Sequence, residues 1–221
     1  EPPRDGSADV VRSISVSGVG KVNATPDVAI VRLGVQTEAE TASEALDMNS
    51  ERMSALVAAL RSAGVATSDI QTQVVQLFPR YDVGTNNQGT PTPPTLVGYT
   101  ATNIVEARVR NLDNLGEMLD AAVEAGGNTI ENVRFDVSDS TEVMDEAREL
   151  AMNEALRKAE QLANLAGAEL GEVLSINESS RVPSPLTFGG GFDEQSRAVA
   201  VPIEPGMQRV EVDIQVTWLL R

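Results

Sequence analysis

The sequence predicts an α+β fold in which helices pack on one face of a mixed β-sheet. Hydrophobic residues change repeatedly between the two-residue alternation of strands and the three- and four-residue spacing of helices, in the order β-β-α-β-β-α-β-α-β-β. Aromatic residues make up only 3% of the 221 residues, so the core must be built from Val, Ile, Leu and Ala. Small core side chains require the backbones to lie close together, which favours helices packed on a sheet over an aromatic-filled barrel.

Two strand-like segments open the chain. Residues 10–18 alternate, with Val11, Ile14 and Val16 among serines, and residues 28–37 are rich in β-branched side chains. The connection between them contains Gly, Asn and Pro, which predicts a hairpin or a bent pair of strands. A helix follows that is capped by Thr37 or Thr41 and ends at Gly64.

The rest of the chain alternates between strands and helices. Strands are predicted over 70–81, 96–110, 129–139, 172–182 and 207–220, helices over 111–128 and 141–166, and exposed loops over 82–95 and 183–206. In the stretches "ALVAALRSAGV" and "EMLDAAVEAGGNTI", a helix ends at an Ala-Gly pair and a strand follows. This internal similarity predicts duplicated βαβ-like units.

The third helix carries a narrow stripe of small side chains. Alanine recurs every four residues at Ala147, Ala151, Ala155, Ala159 and Ala163. Alanine is also the best helix former, so some of these residues could be there for helix propensity alone. Five alanines at this regular spacing favour a helix that lies unusually close to a sheet or to another helix.

The chain is predicted to form a single domain over 12–221 after a flexible leader over 1–11. The leader is polar and contains proline, and it has no cysteine to carry a lipid anchor. The two long loops interrupt strands and do not separate complete units, so the sequence gives no internal domain boundary. No stretch has the eighteen or so apolar residues that a membrane-spanning helix requires.

Composition excludes several classes of function. The chain has 17 basic and 33 acidic residues and a formal charge of −16, which opposes binding to nucleic acids and to anionic lipids. It has no Cys and no His, which removes thiolate catalysis, Ser-His-Asp triads, nearly all zinc sites and haem ligation. Carboxylate pairs, Lys, Ser, Thr, Tyr or an all-oxygen metal site remain for chemistry, and no cofactor is predicted.

The glycine-containing segment "SVSGVGKVNATPD" superficially resembles a phosphate-binding loop. A Walker loop requires a glycine five positions before its Gly-Lys pair, where Ser15 lies, and a hydroxyl residue after the lysine, where Val22 lies. Asn23 takes the place of the third glycine of a dinucleotide fingerprint. A strand follows in place of the helix that would bind the phosphate. The segment is therefore interpreted as a turn between two strands.

An acidic cluster surrounds the start of the third helix. Its members are Asp136, Asp139, Glu142, Asp145 and Glu146. Carboxylates can bind Ca²⁺ or Mg²⁺, but the spacing is not that of an EF-hand. Acidic residues in a first helical turn also interact favourably with the helix dipole, and this interpretation is favoured. No metal site and no catalytic residue is predicted.

Four aromatic residues are candidate interaction residues. Tyr81 and Tyr99 bracket the first long loop, and Phe188 and Phe192 bracket three glycines in the second. In a chain with few aromatic residues, such side chains are candidate anchors for a partner. The alternative, that the two phenylalanines fold back over the open face of the sheet, has equal support.

Several segments together resemble the SIMPL-domain family. They are "ISVSGVGKVNATPDVAIVRLGV", "GVATSDIQT", "PRYD", "GYTATNIVEARVRNLDNLGEMLDAAVEAGGNTIENVRFDVSD" and "ARELAMNEALRKAEQLANLAGAELGEV". The resemblance covers about residues 12–220. It implies an α/β domain that is exported to the periplasm or secreted, with its signal peptide removed, and that has no established enzymatic activity. It also implies ring-like homo-oligomers for some members and a structural role for the glycine segment.

These observations lead to three hypotheses. The leading one is a non-enzymatic, exported, self-assembling protein with a role in envelope integrity or stress tolerance. The alternative is a small-molecule or peptide-binding module that uses the sheet face and the loops 82–95 and 183–206. The third is a carboxylate-based hydrolase or lyase that uses residues of the acidic cluster, which alanine replacement of Asp139 and Glu142 would test. The expected partner is a second copy of the chain, with no nucleic acid and no membrane span.

Overall fold

The structure, a computed structural model, describes residues 11–84, 93–185 and 204–221, with side chains described outside 181–185. These ranges form seven strands and three α-helices in the predicted order, so the α+β class is confirmed. The elements are β1 Ser13–Ala24, β2 Val28–Ala39, α1 Ala42–Ser62, β3 Ile70–Asp82, β4 Thr95–Val109, α2 Leu115–Glu124, β5 Thr129–Asp136, α3 Thr141–Leu165, β6 Leu170–Pro185 and β7 Gln208–Leu220.

The chain divides into two compact units. The first unit contains β1, α3, β6 and β7, and the second contains β2, α1, β3, β4, α2 and β5. The first unit therefore combines strands from near both ends of the chain with a segment that follows the second unit. The single domain over 12–221 stays a prediction.

The expected mixed sheet is replaced by two sheets that are entirely antiparallel. The first unit has the strand order β1-β7-β6, and the second has β3-β4-β2-β5. In the second unit, β2-α1-β3 and β4-α2-β5 are the duplicated β-α-β repeats that the sequence predicts. Each repeat is a split β-α-β arrangement, because a strand of the other repeat lies between its two parallel strands. For this reason no two parallel strands are neighbours.

The core of the second unit lies between its sheet and the two helices that cover one face. Alternate residues of β2, from Ala29 to Val35, point into this core because side chains alternate along a strand. The helices contribute Met53, Leu56, Leu60, Leu115, Met118 and Ala122. Helix α1 begins at the predicted cap, where Thr41 Oγ1 accepts a hydrogen bond from the Glu44 N–H at 3.2 Å.

One buried polar side chain connects α1 to the two central strands of this sheet. Asn49 is almost fully buried, and its Nδ2 donates to the carbonyl oxygens of Val35 at 2.9 Å and Ala101 at 3.1 Å. Both hydrogen bonds satisfy an amide that would otherwise be costly to bury. Asn49 therefore fixes α1 over β2 and β4.

The core of the first unit confirms close packing of the alanine stripe. All five alanines of α3 are buried, and the first four of them pack in one cluster with alternate residues of β7. Those β7 residues are Val210, Val212, Ile214, Val216 and Trp218. Small side chains on the helix leave room for the large ones on the strand.

The predicted hairpin through the glycine segment is wrong. Strand β1 continues through Gly18 and Gly20, and it pairs with β7 and not with β2. The chain turns later, between the end of β1 and Val28. The glycines serve close packing, because a Cβ at Gly18 would overlap the carbonyl oxygen of Ala151 and one at Gly20 would overlap that of Ala147. Glycine lets the backbones of β1 and α3 approach within a distance that no other residue permits.

Candidate interaction surface

The free edge of β1 is occupied by side chains of α3. The Val19 N–H donates to Glu154 Oε2 at 2.6 Å, and Lys158 Nζ donates to the Ser17 carbonyl oxygen at 3.0 Å. Glu154 and Lys158 also form an ion pair at 3.1 Å. Unpaired backbone groups on an edge strand otherwise attract a further strand. These bonds close part of that edge.

Glu154 makes the stability of this contact dependent on pH. The Val19 N–H first, and then Lys158, hold the pKa of Glu154 below its ordinary value of 4.5. The folded state therefore favours the carboxylate more strongly than the unfolded state does. This contribution to stability is complete above about pH 4.5 and is lost as the pH falls through the lowered pKa of the folded state.

We expect Glu154→Gln to reduce the acid sensitivity of the protein. Its Tm should lie below that of the wild type at pH 7 and should approach it as the pH falls below 4.5, because protonation removes the same charge from the wild type. Thermal melts followed by circular dichroism test this. Glu149→Gln is the matched control on α3, because the Glu149 side chain forms no hydrogen bond or ion pair among the described residues. A constant Tm difference across this pH range would contradict the assignment.

Three carboxylates of the acidic cluster form hydrogen bonds or ion pairs with residues close to them in the chain. Asp139 accepts a hydrogen bond from the Thr141 N–H at 2.9 Å at the start of α3, and hydrogen bonds from Thr141 lower the pKa of Asp139. Asp145 pairs with Arg148 at 2.6 Å, and Asp136 accepts from the Val137 N–H at 2.9 Å. Within the described ranges, no three carboxylates lie close enough together to bind a metal ion.

The charged side chains of Asp69 and Arg110 line a cavity of about 250 Å³ beside the end of α1. Arg110 donates two hydrogen bonds to Asp69, at 3.0 and 3.1 Å, and this contact lowers the pKa of Asp69. A carboxylate paired in this way is a weak base, so it is poorly suited to general acid–base chemistry near neutral pH. The pair joins the end of β4 to the turn that precedes β3.

The structure brings Tyr81 and Tyr99 together on the β3–β4 hairpin. Tyr99 lies opposite Pro79, and Tyr81 lies opposite Leu96 in the antiparallel register. Residues directly opposite each other share a face of the sheet, as do residues two apart on one strand, so both tyrosines lie on the face covered by the helices. Tyr81 is 59% exposed and Tyr99 is half-buried. Phe188 and Phe192 lie outside the described residues.

More of this hairpin is exposed than the sequence indicates. Six large apolar or aromatic side chains on the two faces of this hairpin, here called the hairpin patch, are between 47% and 63% exposed. They are Val75, Phe78, Tyr81, Val83, Leu96 and Val97. Between Ile70 and Val105 the only charged residues are Arg80 and Asp82, in a chain with a charge of −16. An exposed apolar surface with few charges is typical of an interaction site.

An open groove of about 430 Å³ runs along α1 next to this hairpin. Its residues on α1 recur every three or four positions, so they form one side of the helix. They are Ser50, Met53, Ser54, Val57, Ala58 and Arg61. Asn103 of β4 also lines the groove, and its Oδ1 is buried without a hydrogen-bond partner among the described residues. Val75 lies opposite Asn103 and is 63% exposed, so the helix leaves β3 uncovered here.

Comparisons with known proteins agree with the resemblance in the sequence. The model of the SIMPL family, a protein of unknown function (DUF541), matches residues 14–218. The 26 kDa periplasmic immunogenic protein of Brucella melitensis biotype 1 is 34% identical over 212 residues, which cover 94% of this chain and 84% of that protein. The uncharacterized protein YggE of Escherichia coli strain K12 is 33% identical over 175 residues, which cover 78% of this chain and 69% of that protein.

Among the described residues, no helix is both long enough and apolar enough to cross a membrane. The glycines of β1, the alanine stripe of α3 and the two split β-α-β units all lie within the matched range. The chain therefore belongs to the SIMPL family.

Proposed function

We propose that the protein is an exported, non-enzymatic protein that assembles with copies of itself and contributes to envelope integrity or stress tolerance. The observation that carries self-assembly is the hairpin patch, which is apolar, exposed and nearly free of charge. The name of the Brucella relative, a periplasmic immunogenic protein, supports a periplasmic location. A periplasmic location is also compatible with a chain that has no cysteine.

The chemistry of the described side chains supports a function without catalysis. The chain has no His or Cys to act as a nucleophile or as a base near neutral pH. Among the described residues, the carboxylates whose pKa values depart from the ordinary value, which include Asp27, Asp69 and Glu154, are all shifted downwards by hydrogen bonds. A general acid at neutral pH would require a shift in the opposite direction.

Self-assembly is tested by the mass of the protein in solution. We expect light scattering after size-exclusion chromatography to give a multiple of the 23.4 kDa chain mass at micromolar concentration. Raising the salt concentration should increase the assembled fraction, because copies with a charge of −16 repel one another less when they are screened. A monomer at high micromolar concentration under both conditions would contradict self-assembly.

The envelope role is tested in cells. Deletion of the gene should increase sensitivity to detergents or oxidants, and wild-type protein directed to the periplasm should restore resistance. A deletion strain with unchanged sensitivity to both stresses would contradict this part of the proposal.

A second candidate function is the binding of a small molecule or a peptide. The observation that favours it is the groove along α1, with the unpaired Oδ1 of Asn103 in its wall. Residues 85–92 and 186–203, which belong to the two loops of this hypothesis, lie outside the described residues. A thermal-shift screen with metabolites and short peptides tests it, and Val57→Glu should abolish any stabilisation that depends on the groove. Stabilisation that survives Val57→Glu would place the ligand elsewhere.

A further inference from the structure

We infer that β3 pairs antiparallel with β3 of a second copy of the chain. The four-stranded sheets of the two copies would then form one continuous sheet. This inference rests on the proposed self-assembly and names the surface that would produce it. It follows from a comparison of the sheet edges, from the direction of the backbone groups on β3 and from the distribution of charge.

The outer strands of the two sheets differ in how far they are protected. Strand β1 is clamped by Glu154 and Lys158 of α3. Strand β5 has only eight residues, and three of them are charged. The described side chains of β6 include Glu172 and Glu178. Charged side chains and short length are the usual protection of an edge strand.

Most of strand β3 has neither protection. It has 13 residues, its charged residues Arg80 and Asp82 lie at its end, and none from Ile70 to Pro79 is charged. Pro79 lies near its end, and proline is tolerated on an edge strand only where no N–H is needed for the ladder. The stretch before Pro79 therefore remains long enough to pair with another strand.

The position of Pro79 shows which backbone groups of β3 face outwards. Pro79 lies opposite Tyr99 but has no N–H, so this pair cannot exchange both hydrogen bonds with β4. Bonded and non-bonded pairs alternate along an antiparallel ladder, and the register is regular from Val74 to Arg80. The N–H and C=O groups of Val75 and Leu77 therefore point away from β4. No hydrogen bond to either residue from outside the ladder occurs among the described residues.

The charge distribution favours a second copy as the occupant of this edge. Each copy carries a charge of −16, so most contacts between copies bring like charges together. The stretch of β3 from Ile70 to Pro79 has no charge, and Arg80 beside it forms an ion pair with Glu38 of the same copy, so two copies approach here with the least repulsion. A strand that pairs with itself about a twofold axis forms the same contacts in both copies, which is the commonest symmetry of homo-oligomers.

The pairing would also cover part of the hairpin patch. Val75 lies near the middle of the uncharged stretch and is 63% exposed beside the groove along α1. An antiparallel strand from the second copy would place its own Val75 close to this position. Apolar β-branched side chains on neighbouring strands stabilise each other.

The test replaces one backbone donor. Val75→Pro removes the outward N–H of Val75 and leaves the N–H groups that bond β4 intact, whereas the control Val75→Thr keeps the N–H and a β-branched side chain. Light scattering should give the wild-type mass for Val75→Thr and a mass reduced at least twofold for Val75→Pro. Circular dichroism melts check that both variants are folded.

The outcomes separate this inference from the proposed function. If Val75→Pro is folded and keeps the wild-type mass, pairing through β3 is overturned while self-assembly stands. If the wild-type protein is itself monomeric, both fail. If Val75→Pro does not fold, single-cysteine variants of the otherwise cysteine-free chain show whether the two β3 strands pair.

The cysteine variants are Gln73→Cys, Val74→Cys, Val75→Cys, Gln76→Cys and Leu77→Cys. Residues that face each other across two antiparallel strands are close enough for a disulfide bond. At least one variant should form a covalent dimer under mild oxidation, and Ile130→Cys on β5 should not. Absence of a dimer in all five variants, while the protein remains assembled, would overturn the pairing.

Discussion

Gly18→Val is expected to lower the free energy of unfolding by about 3 kcal/mol or more, the upper part of the range for overpacking a close-packed site. A Cβ at this position would overlap the carbonyl oxygen of Ala151 and would lie 2.7 Å from the backbone nitrogen of Ala155. Both obstacles are helix backbone, which a side-chain rotation cannot move. Helix α3 would have to shift away from β1, and the hydrogen bond from the Val19 N–H to Glu154 would be broken.

Urea unfolding followed by circular dichroism measures this effect. Gly167→Ala is the control, because a Cβ there meets nothing within 4 Å and the φ of +69° makes the substitution cost only about 1 kcal/mol. Gly20→Val should behave like Gly18→Val, since the Ala147 carbonyl oxygen obstructs a Cβ at Gly20. A Gly18→Val protein as stable as the control would show that α3 does not lie this close to β1.

Trp218→Ala is expected to cost about 3–5 kcal/mol, which is typical for removal of a large buried aromatic side chain. Trp218 is 2% exposed and belongs to the same buried cluster as the alanine stripe. It lies on the middle strand of the first sheet, opposite Ile14 of β1 and Val173 of β6. The alanines of α3 are too small to fill the cavity that this change would leave.

The same unfolding experiment measures this loss. Trp218→Phe should retain more of the stability, because the phenyl ring fills most of the volume of the indole. Leu165→Ala is the control for a large apolar side chain that is exposed, at 78%, and it should change stability little. Equal losses for Trp218→Ala and Trp218→Phe would show that hydrogen bonding or local backbone change, and not volume, determines the contribution of this residue.

The sequence predicts the elements well because their periodicity is a local property. The alternation of β7 and the four-residue spacing of the α3 alanines each identify an element without knowledge of its neighbours. Thr41 and Gly64 correctly mark the region of α1 for the same reason, since caps depend on adjacent residues. The correct order of all ten elements follows from such local signals.

Strand partners are not a local property, and here the sequence prediction failed. Strand β1 is followed by β2 after a short turn, yet it pairs with β7 near the other end of the chain. Gly18 and Gly20 appear in the sequence as turn residues, because glycine favours turns more often than close helix packing. Only the position of α3 over β1 reveals their use.

The sequence pointed to two residues of the candidate surface, and their role in an interaction stays a prediction. The scarcity of aromatic residues directed attention to Tyr81 and Tyr99, and the register places both on one face of the hairpin. Val75 and Leu96 were missed, because an apolar residue in an alternating strand is expected to be buried. Whether it is buried depends on how far α1 extends over the sheet, and the helix leaves β3 uncovered.

The sequence by itself determined the α+β class, the order of the elements and the absence of histidine and cysteine chemistry, because composition and periodicity are properties of neighbouring residues. The tertiary structure alone decided that the described strands form two antiparallel sheets, that β1 is a clamped edge and that β3 is an edge strand without a second partner strand among the described residues. Those features depend on contacts between residues far apart in the chain, and such contacts form only when the whole chain folds.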